Sequence, residues 1–127
     1  MLIGEGMVDG LPHDHGDISD IGTFRALLAD NEGFERVSQL MSQLGDPNRL
    51  KIYWLLCHHE DCVTNISAIM GMSSPAVSHH LRALKDGGLI KSRRVGKEVY
   101  YKSSETPETL YLHHMIEDVM EMTCPER

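Results

Sequence analysis

The chain has 127 residues, 41% of them hydrophobic and 24% charged, with a formal net charge of −7; this is the size of one domain with one small core and excludes a second. No apolar run of about 18 residues is present to cross a bilayer, and no charged region followed by an apolar one opens the chain, so a cytoplasmic protein without membrane contacts is expected. Three cysteines are an odd number, which in a reducing compartment favours metal-binding or sensing thiolates over a disulfide framework.

In chain order, residues 1–20 (MLIGEGMVDGLPHDHGDISD) are rich in glycine, aspartate and histidine and lack periodicity. A flexible arm is expected there, ahead of a folded domain over 21–127. Ile21, Phe24, Leu27 and Leu28 mark a short helix, and Phe34, Val37, Leu40, Met41 and Leu44 lie on one side of a second. Gly45 breaks the chain. Asp46 then caps a third helix running to about Cys57, opened by Pro47, whose missing N–H is no loss at that position. Its Leu50, Tyr53, Trp54 and Leu56 are expected to supply core. Residues 63–70 make a short fourth helix, with Gly71 as the turn before the next.

Residues 73–101 (SSPAVSHHLRALKDGGLIKSRRVGKEVYY) carry the most information. Ser74 is placed to cap a fifth helix with Pro75 in its first turn. Val77, Leu81 and Leu84 form one apolar stripe, which leaves Ser78, His79, Arg82 and Lys85 for other faces. Gly87 and Gly88 stop the helix, and two short strands flank Gly96-Lys97, a pair suited to a tight hairpin. A last helix is expected from Thr106 to about Met122. Its Leu110, Leu112, Met115, Ile116, Val119 and Met120 spread too widely for a thin stripe, so burial on two sides is expected, in part against a second subunit.

Helix, turn, helix and basic hairpin in this order point to double-stranded DNA: short polar side chains on a helix suit base edges, and cations at a hairpin tip suit phosphates. Ser73 to Lys102 holds seven Lys and Arg against two acids, whereas the chain as a whole is acidic. Binding is therefore expected to be local and salt-sensitive. No phosphate loop, HExxH motif or nucleophile triad is present, which excludes the common enzyme classes.

The segment Leu44-Gly45-Asp46-Pro47-Asn48-Arg49-Leu50-Lys51-Ile52, the Ser78-His79-His80-Leu81 core of the fifth helix and the hairpin resemble the ArsR/SmtB family of winged-helix repressors, over residues 34–101. The resemblance implies a mainly α fold of five to six helices plus a two-stranded wing, dimerising through N- and C-terminal helices. It also implies a homodimer that holds operator DNA until an effector weakens the grip. Carried over, Ser74, Ser78, His79, His80 and Arg82 fall on the recognition helix and Arg93, Arg94 and Lys97 on the wing; either His79 or His80 is alternatively packed inward, since adjacent helical residues point apart.

Eight histidines and three cysteines offer two metal-type constellations. One joins Cys57 and Cys62 across a helix junction with His58 or His59 and His13 and His15 of the arm, a sulfur/nitrogen set of the kind Zn²⁺ or Cd²⁺ accepts. Cys62 matches the first cysteine of the family's metal-box motif, and Thr64 stands where the second would be. The other lies on the last helix: His113 and His114 with Glu117 and Glu121 at helical spacing, Glu105 nearby, and Cys124 just beyond. It resembles the family's site on its C-terminal helix, with Pro107 where the pattern has a histidine. Three functions follow as alternatives: a repressor released by a Zn- or Cd-type ion, a thiol-based redox or arsenic sensor using Cys57, Cys62 and Cys124, and a small metal-binding protein that never meets DNA.

Overall fold

A computed structural model describes residues 11–13 and 20–125. It contains two compact units that divide between Val37 and Ser38. The expected boundary lay near residue 20, and most of the expected arm falls outside the described residues. The first unit holds α1 (Ile21–Leu28), capped by Asp20, whose side chain accepts from the Thr23 N–H, and the start of α2 (Asn31–Gln43).

The second unit follows the expected order with one addition. Asp46 caps α3 (Pro47–His58) by accepting from the Asn48 and Arg49 N–H groups, as a short acidic side chain before a proline-led helix should. α4 (Val63–Met70) and α5 (Ser74–Asp86) form the helix-turn-helix. The cap of α5 is Ser73 rather than the expected Ser74: the Ser73 hydroxyl accepts from Ala76 N–H at 3.3 Å, and Ser74 is the first helical residue. The apolar stripe is as read, with Val77, Leu81 and Leu84 buried. Beyond α5 the chain reverses at Gly88, whose φ of +76° is open to glycine without a Cβ penalty.

Strands β2 (Ile90–Val95) and β3 (Glu98–Ser103) pair antiparallel from Val95↔Glu98 to Ile90↔Ser103. The two-residue connection has positive φ at Gly96 and not at Lys97, the type II′ geometry that suits the twist of a hairpin. The addition is β1, only Asp61–Cys62, which pairs with Tyr101 and Tyr100 and makes the wing part of a three-stranded sheet ordered β1-β3-β2. Two residues are too few to show a period of two, so only the tertiary pairing reveals this strand. Last comes α6 (Pro107–Met120), with Thr106 and Thr109 exchanging hydrogen bonds in a capping box.

The core collects Ile52, Tyr53 and Leu56 of α3, Ile66 of α4, the stripe of α5, Leu89, Ile90 and Ile116 of α6. Leu50 and Trp54, expected inside, are only partly buried. α6 buries one face, through Thr109, Ile116 and Glu117. Leu110, Tyr111, Met115, Val119 and Met120 of the same helix are exposed. No helix among the described residues is long and apolar enough to cross a membrane.

Candidate metal centre and nucleic-acid interface

The packing of α3 against α6 sets one cluster of donors. His58 is the last residue of α3, and His113 and Glu117 sit one turn apart on the inner face of α6. After α6, Glu121 takes φ of +53°, and the Met122 N–H returns to the Glu117 carbonyl. This left-handed turn redirects the chain and Cys124 Sγ lies 3.4 Å from His58 Nδ1. Glu121, expected beside the ligands, serves as the cap.

Glu117 Oε2 lies 3.0 Å from His58 Nε2 and 2.9 Å from His113 Nε2, and the two imidazole nitrogens are 2.9 Å apart. Trp54 donates its indole N–H to the same oxygen at 3.1 Å, and its ring lies against His58 with centroids 4.8 Å apart. A neutral imidazole has one N–H and one lone pair. If both Nε2 atoms carry protons for the carboxylate, they face each other as two donors; if one does not, its lone pair faces the carboxylate. Protons therefore satisfy at most two edges of this triangle, whereas lone pairs converging on one cation satisfy all three. Adding Cys124, the four donor atoms lie within 4.8 Å of one another. Two nitrogens, one carboxylate oxygen and one sulfur are a donor set that a four-coordinate ion of the zinc kind accepts, at about 2.0–2.3 Å per bond. Burial acts to raise the Glu117 carboxyl, but hydrogen bonds from His113, Trp54 and His58 outweigh it and hold it below the ordinary range. The group is thus kept anionic, as a ligand must be.

The cluster draws on both expected constellations. It takes His58 from the first and His113, Glu117 and Cys124 from the second. Cys57, half-buried one residue before His58, points into a groove of about 530 Å³ lined also by Ser103, Thr106, Thr109 and His113. Burial pushes its thiol up to about 11, away from the thiolate that ligation or redox sensing needs. Cys62 is buried in β1. His59 is spent on Asp61 at 2.7 Å, His114 is exposed, and Glu105 pairs with Lys91 and Lys102. His13 is exposed and His15 lies outside the described residues. Trp54 was read only as core; its spacing of four from His58, one helical turn, was the available signal that both face the same way.

On the recognition helix α5, Ser74, His79 and Arg82 are exposed and Ser78 is half-buried. His80 is turned inward: it is buried, its Nδ1 accepts from Arg49 Nε at 3.3 Å, and its Nε2 lies 3.9 Å from Asp46. This settles the alternative left open for the pair and corrects the placement of His80 among groups available to DNA. On the wing, Arg94 and Lys97 are exposed, and among the described residues neither they nor Arg82 enters an ion pair. Arg93 differs. Its Nε and Nη2 bind the Glu60 carboxylate at 3.0 and 2.6 Å.

A model of the arsR family of bacterial regulatory proteins matches residues 46–92. A transcriptional repressor SmtB homolog from Synechocystis sp. is 41% identical over 71 residues, 56% of this chain and 54% of that protein. A cadmium resistance transcriptional regulatory protein, CadC, from Listeria innocua is 44% identical over 66 residues, 51% of this chain and 56% of that protein. The chain spans about half the length of these two relatives. The solution structure of the homodimeric winged helix-turn-helix DNA-binding domain of a possible ArsR-family regulator from Mycobacterium bovis superimposes with a TM-score of 0.62, at 26% identity, over 90% of this chain and 95% of that one.

Proposed function

The chain belongs to the ArsR family of bacterial regulatory proteins, and from that premise we propose that it is a homodimeric cytoplasmic repressor whose hold on operator DNA falls when a Zn- or Cd-type ion binds. The observation that carries the reading is the joining, in one small unit, of a helix-turn-helix and a wing with exposed cations to the His58/His113/Glu117/Cys124 cluster.

Ser74, Ser78, His79 and Arg82 are the groups offered to the major groove, and Arg94 and Lys97 those offered to phosphates. Dimerisation uses the apolar side of α6 centred on Tyr111, Met115 and Val119, which are exposed among the described residues; exposed apolar residues grouped on one helix are the mark of an interface. A two-fold arrangement places the recognition helices on successive major grooves about 34 Å apart. His58, His113, Glu117 and Cys124 would hold the ion, which supplies a fixed positive charge joining α3, α6 and the chain beyond it. Tightening those three pieces biases the dimer toward a spacing that no longer fits the groove repeat, and by linkage DNA weakens metal by the same factor, about 1–3 kcal/mol of coupling. The raised thiol of Cys57 supports the metal reading over a thiol-based sensor.

The test is fluorescence anisotropy on a duplex selected by the protein from a random pool, titrated with Zn²⁺, Cd²⁺, Co²⁺ and Ni²⁺. About a five- to 150-fold fall in affinity with Zn²⁺ or Cd²⁺ is expected. Selection of no duplex defeats the DNA reading, and affinity indifferent to all four ions defeats the effector reading.

A further inference from the structure

Four residues separate the donor cluster from the wing. His58 belongs to the cluster, and His59 is pinned to Asp61. Glu60 makes a two-pronged ion pair with Arg93 of β2, and Asp61 and Cys62 pair with Tyr101 and Tyr100 of β3. The Asp61 carboxylate also accepts from the Cys62 N–H and the Asn65 amide at 2.8 Å each, which fixes this strap to the start of α4.

Strand alternation sorts the wing's cations into two sets. Lys91 and Arg93 of β2 stand opposite Lys102 and Tyr100 of β3, all on one face. The cations of that face are engaged by two acids: Glu60 on Arg93, and Glu105 shared by Lys91 and Lys102. Arg94 projects from the opposite face, and Lys97 stands at the tip. Arg93 Cζ lies 5.7 Å from the centroid of the Tyr100 ring, so the guanidinium is held by an aromatic face as well as a carboxylate. Its side chain nevertheless remains 61% exposed. A cation this exposed, three positions before the Gly96 of a hairpin tip whose Arg94 and Lys97 enter no ion pair among the described residues, is within reach of a phosphate once the carboxylate lets go.

We propose that Glu60 is an autoinhibitory clamp that competes with DNA for Arg93, and that the strap of residues 58–62 makes the clamp responsive to the donor cluster. Fixing His58 in the cluster holds Glu60 on Arg93 and subtracts one phosphate contact from the wing; freeing His58 loosens the strap and returns the contact. The inference rests on the metal-responsive reading above and adds a route from ligand to DNA inside one subunit, separate from the spacing of the dimer.

The experiment is a two-by-two cycle of Glu60→Gln and Arg93→Gln in the full chain. Affinity for the duplex selected by the wild-type protein is measured against salt, with and without Zn²⁺. Glu60→Gln should tighten binding by the Zn²⁺-loaded protein roughly two- to fivefold, the range of an exposed ion pair, and steepen its log affinity against log salt slope by about 0.9, with a smaller change in the metal-free protein. Both effects should vanish when Arg93 is already Gln, and the Zn²⁺-induced fall should be smaller in Glu60→Gln than in wild type. Tightening that persists in the Arg93→Gln background, no tightening, or an unchanged Zn²⁺ effect each overturns the clamp. Failure of the wild-type protein to bind DNA or to respond to Zn²⁺ removes the underlying reading along with it.

Discussion

Replacing Cys124 by serine removes the single sulfur from the four-donor set while leaving His58, His113 and Glu117 in place. Cobalt(II) is the probe, because a thiolate ligand gives it an intense near-ultraviolet charge-transfer band that nitrogen and oxygen donors do not. The wild-type chain should show that band at one ion per subunit. Cys124→Ser should lose it and bind metal more weakly by about 100-fold or more, since even outer partners of metal ligands carry about 10–100-fold. The consequence for DNA follows from occupancy: at a Zn²⁺ concentration that half-fills the wild-type site, a 100-fold weaker site is only about 1% filled, and the operator response disappears. Cys57→Ser and Cys62→Ser should keep the band, because one thiol is turned into the groove beside α6 and the other is buried in β1. A band that survives in Cys124→Ser, or that disappears with Cys57 or Cys62, refutes the assignment of the sulfur ligand and with it the role given to the turn at Glu121.

Trp54→Phe keeps a ring against His58 but removes the N–H donated to Glu117; metal affinity should fall by about 10–100-fold, read by competition with a chromophoric chelator, with the circular dichroism of the fold retained. Arg94→Ala and Lys97→Ala should each weaken binding to all duplexes alike and reduce the salt slope by about 0.9, whereas His79→Ala should change which sequences are selected. For His80, burial lowers the pKa first, Asp46 opposes, and Arg49 and His79 add to the lowering. The neutral form is thus favoured in the fold, and this group's stabilisation is complete above the unfolded value of about 6.5 and lost as pH falls through the folded one. Urea midpoints should drop between pH 7 and 5, and His80→Gln should flatten that part of the profile; an unchanged slope counts against the buried placement.

Much of the fold is local in origin, which is why it is legible in the chain. Asp46-Pro47, the serines before Pro75, Gly87-Gly88 and Gly96-Lys97 act through their own backbone preferences, and the stripe of Val77, Leu81 and Leu84 through helical period alone. The cap at Ser73 moved by one residue because Ser73 and Ser74 offer the same hydroxyl chemistry, and only the backbone geometry chooses between them.

The amino-acid sequence by itself determined the order of helices and wing, the concentration of cations on that module, and the supply of sulfur and nitrogen donors. Tertiary structure decided which donors meet. Cys57 and His58 are neighbours that point about 100° apart on α3, so the angle at which α6 packs there selects the imidazole and leaves the thiol in a groove. The same rule turns His80 in and His79 out. Cys124 arrives only through the left-handed turn at Glu121, and Glu60 meets Arg93 at a sequence separation of 33. Convergence of this kind depends on how faces are oriented after packing, a property that no spacing along the chain encodes.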